Sequence, residues 1–128
     1  MPRLVASAPV LLVRSFPAAL AYWRDAAGFA NVRAWGEPPG FAILERDGLH
    51  LMLKAVPEGT DVVPHGRLQP GMWDAYFWID DADALHADLA ARGAMIAYPP
   101  CDQFYGCREF ALLDPDGHEV GFGQAVGR

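Results

Sequence analysis

One stretch of this chain is written twice. Phe41 to Leu53 reads FAILERDGLHLML and Phe110 to Phe122 reads FALLDPDGHEVGF. Phe41/Phe110, Ala42/Ala111, Leu44/Leu113, Asp47/Asp116 and Gly48/Gly117 match at a single spacing of 69 residues (41 to 110). Each copy is an apolar run, a polar turn closing on Asp-Gly, and an alternating apolar run, which is the pattern of a β-hairpin. Internal repetition constrains the fold before any single motif does, because each copy must bury its apolar face against something its duplicate can also supply.

The same spacing, loosened by a few residues, pairs what precedes each hairpin. Ala8 to Val13 (APVLLV) reads as a buried strand, Ser15 as an N-cap, and Pro17 as a first-turn proline whose missing N–H does no harm. Phe16, Leu20, Trp23 and Ala27 then share one helical face, with Gly28 as the stop. Phe29 to Trp35 is the next strand, Gly36 to Gly40 a turn, and the first hairpin follows with strands Phe41 to Glu45 and Leu49 to Lys54. In the second copy Asp74 to Ile79 is the opening strand, Asp80 or Asp81 caps a helix with Ala82, Leu85 and Leu89 on one face, and Gly93 ends it. Ala94 to Tyr98 is a strand stopped by Pro99-Pro100, Cys101 to Gly106 is a loop, and the last hairpin ends near Gln124 with a short tail beyond. The expected organisation is one domain over 1–128 made of two strand-helix-strand-hairpin repeats, 8–54 and 73–124, joined by an irregular linker, 55–72.

Each repeat has roughly 60 residues and on its own buries only about 60% of its unfolded surface, so the copies are expected to share a core or to pair with a second chain. The chain is 52% hydrophobic with a net charge of −6, the composition of an ordinary globule and a poor match to nucleic acid or an anionic membrane. No apolar run reaches the roughly 18 residues of a membrane span, and Met1 to Ser7 lacks the apolar stretch of a signal peptide, which makes the cytoplasm the expected compartment. Cys101 and Cys107 stand alone as C-x5-C and read as reduced thiols.

A doubled βαβββ unit with DPDG in its last hairpin resembles the vicinal oxygen chelate superfamily, which includes glyoxalase I, extradiol dioxygenases, and fosfomycin- and bleomycin-resistance proteins. The likeness runs from Ala8 to Gln124 and is greatest to the bleomycin-resistance proteins. It is carried by Ala8-Pro9-Val10-Leu11, by the Tyr22-Trp23 to Gly28-Phe29 helix end, and by Tyr105-Gly106 with Arg108-Glu109-Phe110-Ala111-Leu112 before Asp114-Pro115. The inserted Cys107 departs from that pattern. The resemblance implies an α+β fold in which two βαβββ modules form a curved mixed-sheet cup, helices outside. Alternation along the strands then turns Val13 and Ile79 toward the helices, and Asp74, Tyr76 and Trp78 toward the cup wall, answered by Ala8, Val10 and Leu12.

Metal-dependent members of that superfamily hold their ion with a histidine on each opening strand and a carboxylate on each last strand. Carried onto this chain, the histidine positions fall on Ala8 and Asp74 and the carboxylate positions on Met52 and Gly121, so three of the four cannot ligate through a side chain. The four histidines form no i, i+2 or i, i+4 pair, and no serine sits in a nucleophile motif. Asp114 and Asp116 are residues a turn wants. No cofactor is expected. The reading is a non-enzymatic binding protein for a bulky, partly cationic aromatic compound, for which bleomycin-type antibiotics are the model; the alternative is a metal-dependent lyase or dioxygenase with displaced ligands such as Asp74, Glu119 and His50.

The candidate ligand-binding residues are Trp35, Phe41, Asp74, Tyr76, Trp78, Tyr105, Arg108 and Glu119. Aromatic walls stack planar heterocycles and half-buried carboxylates favour cationic ends. Trp23 and Phe16 are core residues, whereas Tyr76 and Trp78 suit core or groove equally, and Arg108 either orients a ligand or pairs with Glu109. The resemblance further implies a homodimer with exchanged N-terminal strands hinged at Pro9 and ligand grooves at the subunit interface, and open sheet edges give an independent motive for pairing.

Overall fold

The computed structural model describes residues 1–126. Its strands are β1 (Val10–Val13), β2 (Ala30–Gly36), β3 (Pro39–Arg46), β4 (Leu49–Ala55), β5 (Ala75–Trp78), β6 (Met95–Gln103), β7 (Cys107–Leu113) and β8 (Glu119–Ala125). They form two four-stranded mixed sheets, ordered β1-β4-β3-β2 and β5-β8-β7-β6. In each the opening strand runs parallel to the last, Val10 beside Met52 and Tyr76 beside Gly121, and the remaining pairs are antiparallel. This is the α+β, twice βαβββ architecture expected from the repeat.

Alternation sorts each strand by face. Leu11, Val13, Ala42, Leu44, Leu51 and Leu53 of the first sheet are buried, as are Phe110, Leu112, Val120 and Phe122 of the second, and all belong to one hydrophobic cluster. Over the first sheet lies α1 (Phe16–Ala21), capped by Ser15 Oγ, which accepts from Ala18 N at 3.3 Å. Over the second lies α3 (Ala82–Ala91), capped by Asp81, whose carboxylate accepts from Ala84 N at 3.0 Å. Trp23, with no exposed surface, meets Phe29 edge-on at 5.7 Å, and Phe29 meets Phe77 of the other repeat at 6.1 Å, which joins the two halves. Truncating Trp23 to alanine is expected to cost about 3–5 kcal/mol. Tyr22 adds a polar tie: its hydroxyl donates to Leu113 O at 2.6 Å and accepts from Met95 N at 3.2 Å.

Several expectations are corrected. The first helix continues from α1 as a π-helical turn, Tyr22–Ala26. The linker contains a short helix, α2 (His65–Leu68). β6 passes through Pro99-Pro100 instead of stopping there, because it is an edge strand whose register shifts between Tyr98 and Cys101, where a proline deprives no ladder of a donor. The largest correction concerns the repeat itself. Ile43 pairs with Met52 and Ala111 with Gly121, so β7 answers β3 at an offset of 68 (43 to 111) while β8 answers β4 at 69 (52 to 121). The second turn is one residue longer. A one-residue slip exchanges faces: Phe110 is buried beneath α3, whereas Phe41 lies on the opposite face of its sheet, and the residue equivalent to Phe41 is Glu109. The short tail expected beyond Gln124 continues as strand to Ala125, and residues 127–128 lie outside the described residues.

Candidate functional site

The faces of the two sheets turned away from the helices carry the remaining chemistry. On the second sheet β8 supplies Gly121 and Gly123, and the space their missing side chains leave is occupied. A Cβ on Gly121 would lie 2.7 Å from Tyr76 Cδ2 and 2.8 Å from Trp73 Nε1, and one on Gly123 would collide with the Tyr76 hydroxyl. Tyr76 therefore lies flat across β8, with Trp73 at 4.7 Å on one side and Trp78 at 5.1 Å on the other, both edge-on.

Beneath these rings is Glu109, 1% exposed, which the candidate set did not contain. Its Oε1 accepts from the hydroxyls of Tyr76 at 2.8 Å and Tyr105 at 2.7 Å, and its Oε2 accepts from Tyr98 at 2.6 Å. Trp73 Nε1 in turn donates to the Tyr98 oxygen at 3.1 Å. A buried carboxylate is tolerated when its lone pairs are filled by donors, and here three phenols fill them. Burial first, and then donation to Glu109, hold Tyr76, Tyr98 and Tyr105 in their neutral forms well above the ordinary phenol value. Because each hydroxyl already serves Glu109, the rings offer flat faces and edges to a ligand rather than a proton acceptor. Glu119 lies at the start of β8, half-buried, its pKa raised by burial and then by the nearby charges of Asp74 and Glu109.

The first sheet presents a different surface. Trp35 and Phe41 are cross-strand partners with ring centroids 5.6 Å apart, and Trp35 is 48% exposed. The Arg33 guanidinium sits 6.0 Å from the Trp35 ring, a cation–π contact already made within the chain. Among the described residues no aromatic pair links Trp35 and Phe41 to the Tyr76 cluster.

Two candidates belong elsewhere. The Asp74 side chain, 5% exposed, accepts from the backbone N–H of His65 at 2.8 Å and of Glu119 at 3.0 Å, so it ties the linker to β8 and does not offer charge to the outward face. Arg108 has the parity of Phe110 and points toward α3, where it binds Asp83 at 3.0 Å and also Asp102 at 3.0 Å; its partner is neither a ligand position nor Glu109. The structure thus gathers Tyr76, Trp78 and Tyr105 around Glu109, with Glu119 nearby, keeps Trp35 with Phe41, and removes Asp74 and Arg108. The trace of Glu109 in the sequence was an acidic residue leading an apolar run; alternation brings Tyr76 and Tyr98 to its face, but Tyr105 reaches it from a turn that periodicity does not place.

The positions a metal-dependent relative would use do not suit an ion. Gly121 is covered by two rings, Asp74 is spent on backbone donors, and Ala8 and Met52 bring no oxygen or nitrogen ligand. Among the described residues no three of His, Cys, Asp and Glu gather as a metal site.

Over residues 5–122 the chain matches the model of the glyoxalase/bleomycin resistance protein/dioxygenase superfamily. The chain belongs to that superfamily. Among solved structures, the bleomycin-binding protein from bleomycin-producing Streptomyces verticillus, complexed with copper(II)-bleomycin, is similar over 100% of both chains at 26% identity and a TM-score of 0.73. TioX from Micromonospora sp. ML1 shares 21% identity and a TM-score of 0.74 over 95% of this chain and 99% of its own. A superfamily member from Alicyclobacillus acidocaldarius shares 15% identity and a TM-score of 0.75 over 96% and 92%. Comparison with curated protein sequences returns no match. Among the described residues no helix is long and apolar enough to cross a membrane.

Proposed function

We propose that this superfamily member is a non-enzymatic binding protein that captures a bulky, partly cationic aromatic compound, with bleomycin-type glycopeptides as the model ligand. The observation that carries the reading is the division of the outward surface into two complementary half-walls, Trp35 with Phe41 on one sheet and Tyr76, Trp78 and Tyr105 around the Glu109 carboxylate on the other. The first suits a planar heterocycle and the second an organic cation held by ring faces and negative charge. Capture needs no bond to break, in keeping with a surface whose hydroxyls are all donated to one carboxylate.

A second copy completes the groove by bringing the first half-wall of one chain opposite the second half-wall of its partner. Three features support this arrangement. Among the described residues no aromatic pair joins the half-walls, each sheet ends in two edge strands, and residues 1–8 run as an irregular arm with Leu4 99% and Val5 91% exposed. An apolar arm is a natural element to exchange between copies.

The test is titration with metal-free and copper(II)-loaded bleomycin, followed by tryptophan fluorescence and calorimetry, with sedimentation equilibrium for oligomeric state. Saturable binding at two ligands per dimer is expected, weakened roughly tenfold or more by Trp35→Ala, the size of a lost aromatic anchor. A folded dimer that binds neither form removes glycopeptide capture from the reading. A folded monomer that binds removes the shared groove.

A further inference from the structure

The two repeats meet at two equivalent places related by the internal repeat, and only one of them is closed. At the closed end the turn of the last hairpin reaches the end of β1. Arg14 donates from its backbone N and its guanidinium to Asp116 at 3.0 and 3.1 Å, and His118 Nε2 donates to Leu12 O at 2.7 Å. The linker seals this junction, since Arg14 also binds Asp61 and the carbonyl of Val62, which is buried.

The repeat gives each of these residues a counterpart. Arg14 and Leu12 answer to Asp80 and Trp78 at an offset of 66 (10 to 76 in the strand register), and Asp116 and His118 answer to Asp47 and Leu49 at 69 (52 to 121). All four counterparts line one cavity of about 530 Å³, whose interior is formed by Phe29, Phe77, Leu85, Leu89 and Phe122. Where the closed junction sets Arg14 against Asp116, the open one has an aspartate, Asp80, at the arginine's position. Asp81 is a third carboxylate at the rim; the Arg46 guanidinium there is held by Ala27 O at 2.7 Å and Asp88 at 3.1 Å and also stands 3.5 Å from Asp47, whose carboxylate stays largely exposed.

From this we infer that the open junction is a second binding site, sharing Trp78 with the outward half-walls, for a small organic cation with a flat apolar body. Its body lies against the floor formed by Phe29, Phe77 and Phe122, and its ammonium or guanidinium group takes near Asp47 and Asp80 the place that Arg14 fills at the closed end. Size and character suit such a ligand, because pockets of several hundred Å³ with apolar walls and a few polar groups at one end bind small molecules. The charge of the rim selects a cation over its neutral equivalent.

The experiment uses the full chain and two probes, naphthalen-1-ylmethylammonium and its neutral isostere naphthalen-1-ylmethanol, with calorimetry and amide chemical-shift mapping. The ammonium is expected to bind saturably and to shift the amides of Asp47, Leu49, Asp80 and Leu85, with the alcohol roughly tenfold weaker. Asp80→Arg, which rebuilds the arginine–aspartate bridge of the closed end, is expected to abolish this binding in a protein that still folds, and Asp80→Asn to weaken it severalfold. Trp35→Ala, on the other surface, leaves it intact. Equal affinity for the alcohol, unchanged affinity in Asp80→Arg, loss of binding in Trp35→Ala, or no saturable binding would each overturn the assignment. None of these outcomes depends on the response to bleomycin, so the two sites are judged separately.

Discussion

Across the outward face of the first sheet runs the row Leu12, Lys54, Phe41, Trp35; the same row in the second sheet is Trp78, Gly123, Glu109, Cys101. The adjoining rows are Val10, Met52, Ile43, Arg33 and Tyr76, Gly121, Ala111, Tyr98. Backbone and register are shared, and bulk has been moved sideways. The first copy spreads apolar side chains over all four strands and places cations on two of them, Lys54 and Arg33, so its face is a tiled apolar surface with positive charge. The second empties β8 to glycine and lets aromatic rings from β5, β6 and the preceding loop lie across it over a buried anion. A doubled fold acquires two chemistries by changing which strand carries the large side chain while the shared core stays fixed.

If Glu109 organises the second face, removing its charge is the most damaging change there. Glu109→Leu strips the acceptor from three tyrosine hydroxyls at once, and a loss of about 3 kcal/mol is expected, since hydrogen bonds to a charged group are worth about 1.5–3 kcal/mol and buried orphans cost more. Urea denaturation measures it. A loss below about 1 kcal/mol would mean that the hydroxyls turn to water and that the face is held by packing alone. Gly121→Met writes the first copy's residue into the second and forces Tyr76 and Trp73 off the sheet; overpacking of this kind costs about 1–3 kcal/mol. The near-ultraviolet circular dichroism of those rings should change with it, and an unaltered spectrum would contradict the flat packing described for Tyr76.

How much of this was legible beforehand follows the same division. The order of elements along the chain, both helix caps, the Asp-Gly turns and the core residues Phe16, Trp23 and Leu89 could be read because periodicity and turn chemistry are local. Face assignments on β1 and β5 were also legible: Val10, Leu12 and Trp78 are exposed while Leu11 and Val13 are buried. Glu109 was not, because matching Phe41 to Phe110 by identity hides the extra turn residue, and that slip hands the face position to the wrong neighbour. Asp74 and Arg108 misled for another reason. A charged residue announces itself in a sequence, but whether its charge meets a ligand depends on distant donors, here the backbone of His65 and Glu119 and the carboxylates of Asp83 and Asp102.

The tyrosines offer a test of the second face that needs no mutation. All four, Tyr22, Tyr76, Tyr98 and Tyr105, have pKa values raised above the ordinary phenol value of about 10, in each case chiefly by burial. Below about pH 10 every phenol is protonated whether the chain is folded or not, so their contribution to stability is fully present. As pH rises past that point the unfolded chain releases phenolic protons and the folded chain does not, so stability falls. Native protein should therefore show little phenolate absorbance at pH 10.5 and gain it together with loss of the fold at higher pH. In Glu109→Gln the onset is expected to move down for the tyrosines that lose an anionic neighbour. A wild-type titration centred near 10 with the fold intact would place those hydroxyls in solvent.

The smallest expected effect lies on the first face and separates the copies most cleanly. Trp35 is half exposed, rests on Phe41 and the Arg33 guanidinium, and fills no cavity over a glycine. Trp35→Ala should change unfolding free energy by only about 0.5 kcal/mol, the range of a surface substitution. Trp73→Ala, which uncovers Gly121 and removes the donor to Tyr98, should cost about 2–3 kcal/mol. The same deletion thus reads as surface in one repeat and as core in the other. Equal losses would mean that Trp35 is also structural, and its use as a stacking wall would then have to be judged from binding measurements corrected for the fraction unfolded. With the expected inequality, any weakening of ligand affinity in Trp35→Ala reports on contact with the ligand, because the fold that presents the indole is unaffected by its removal.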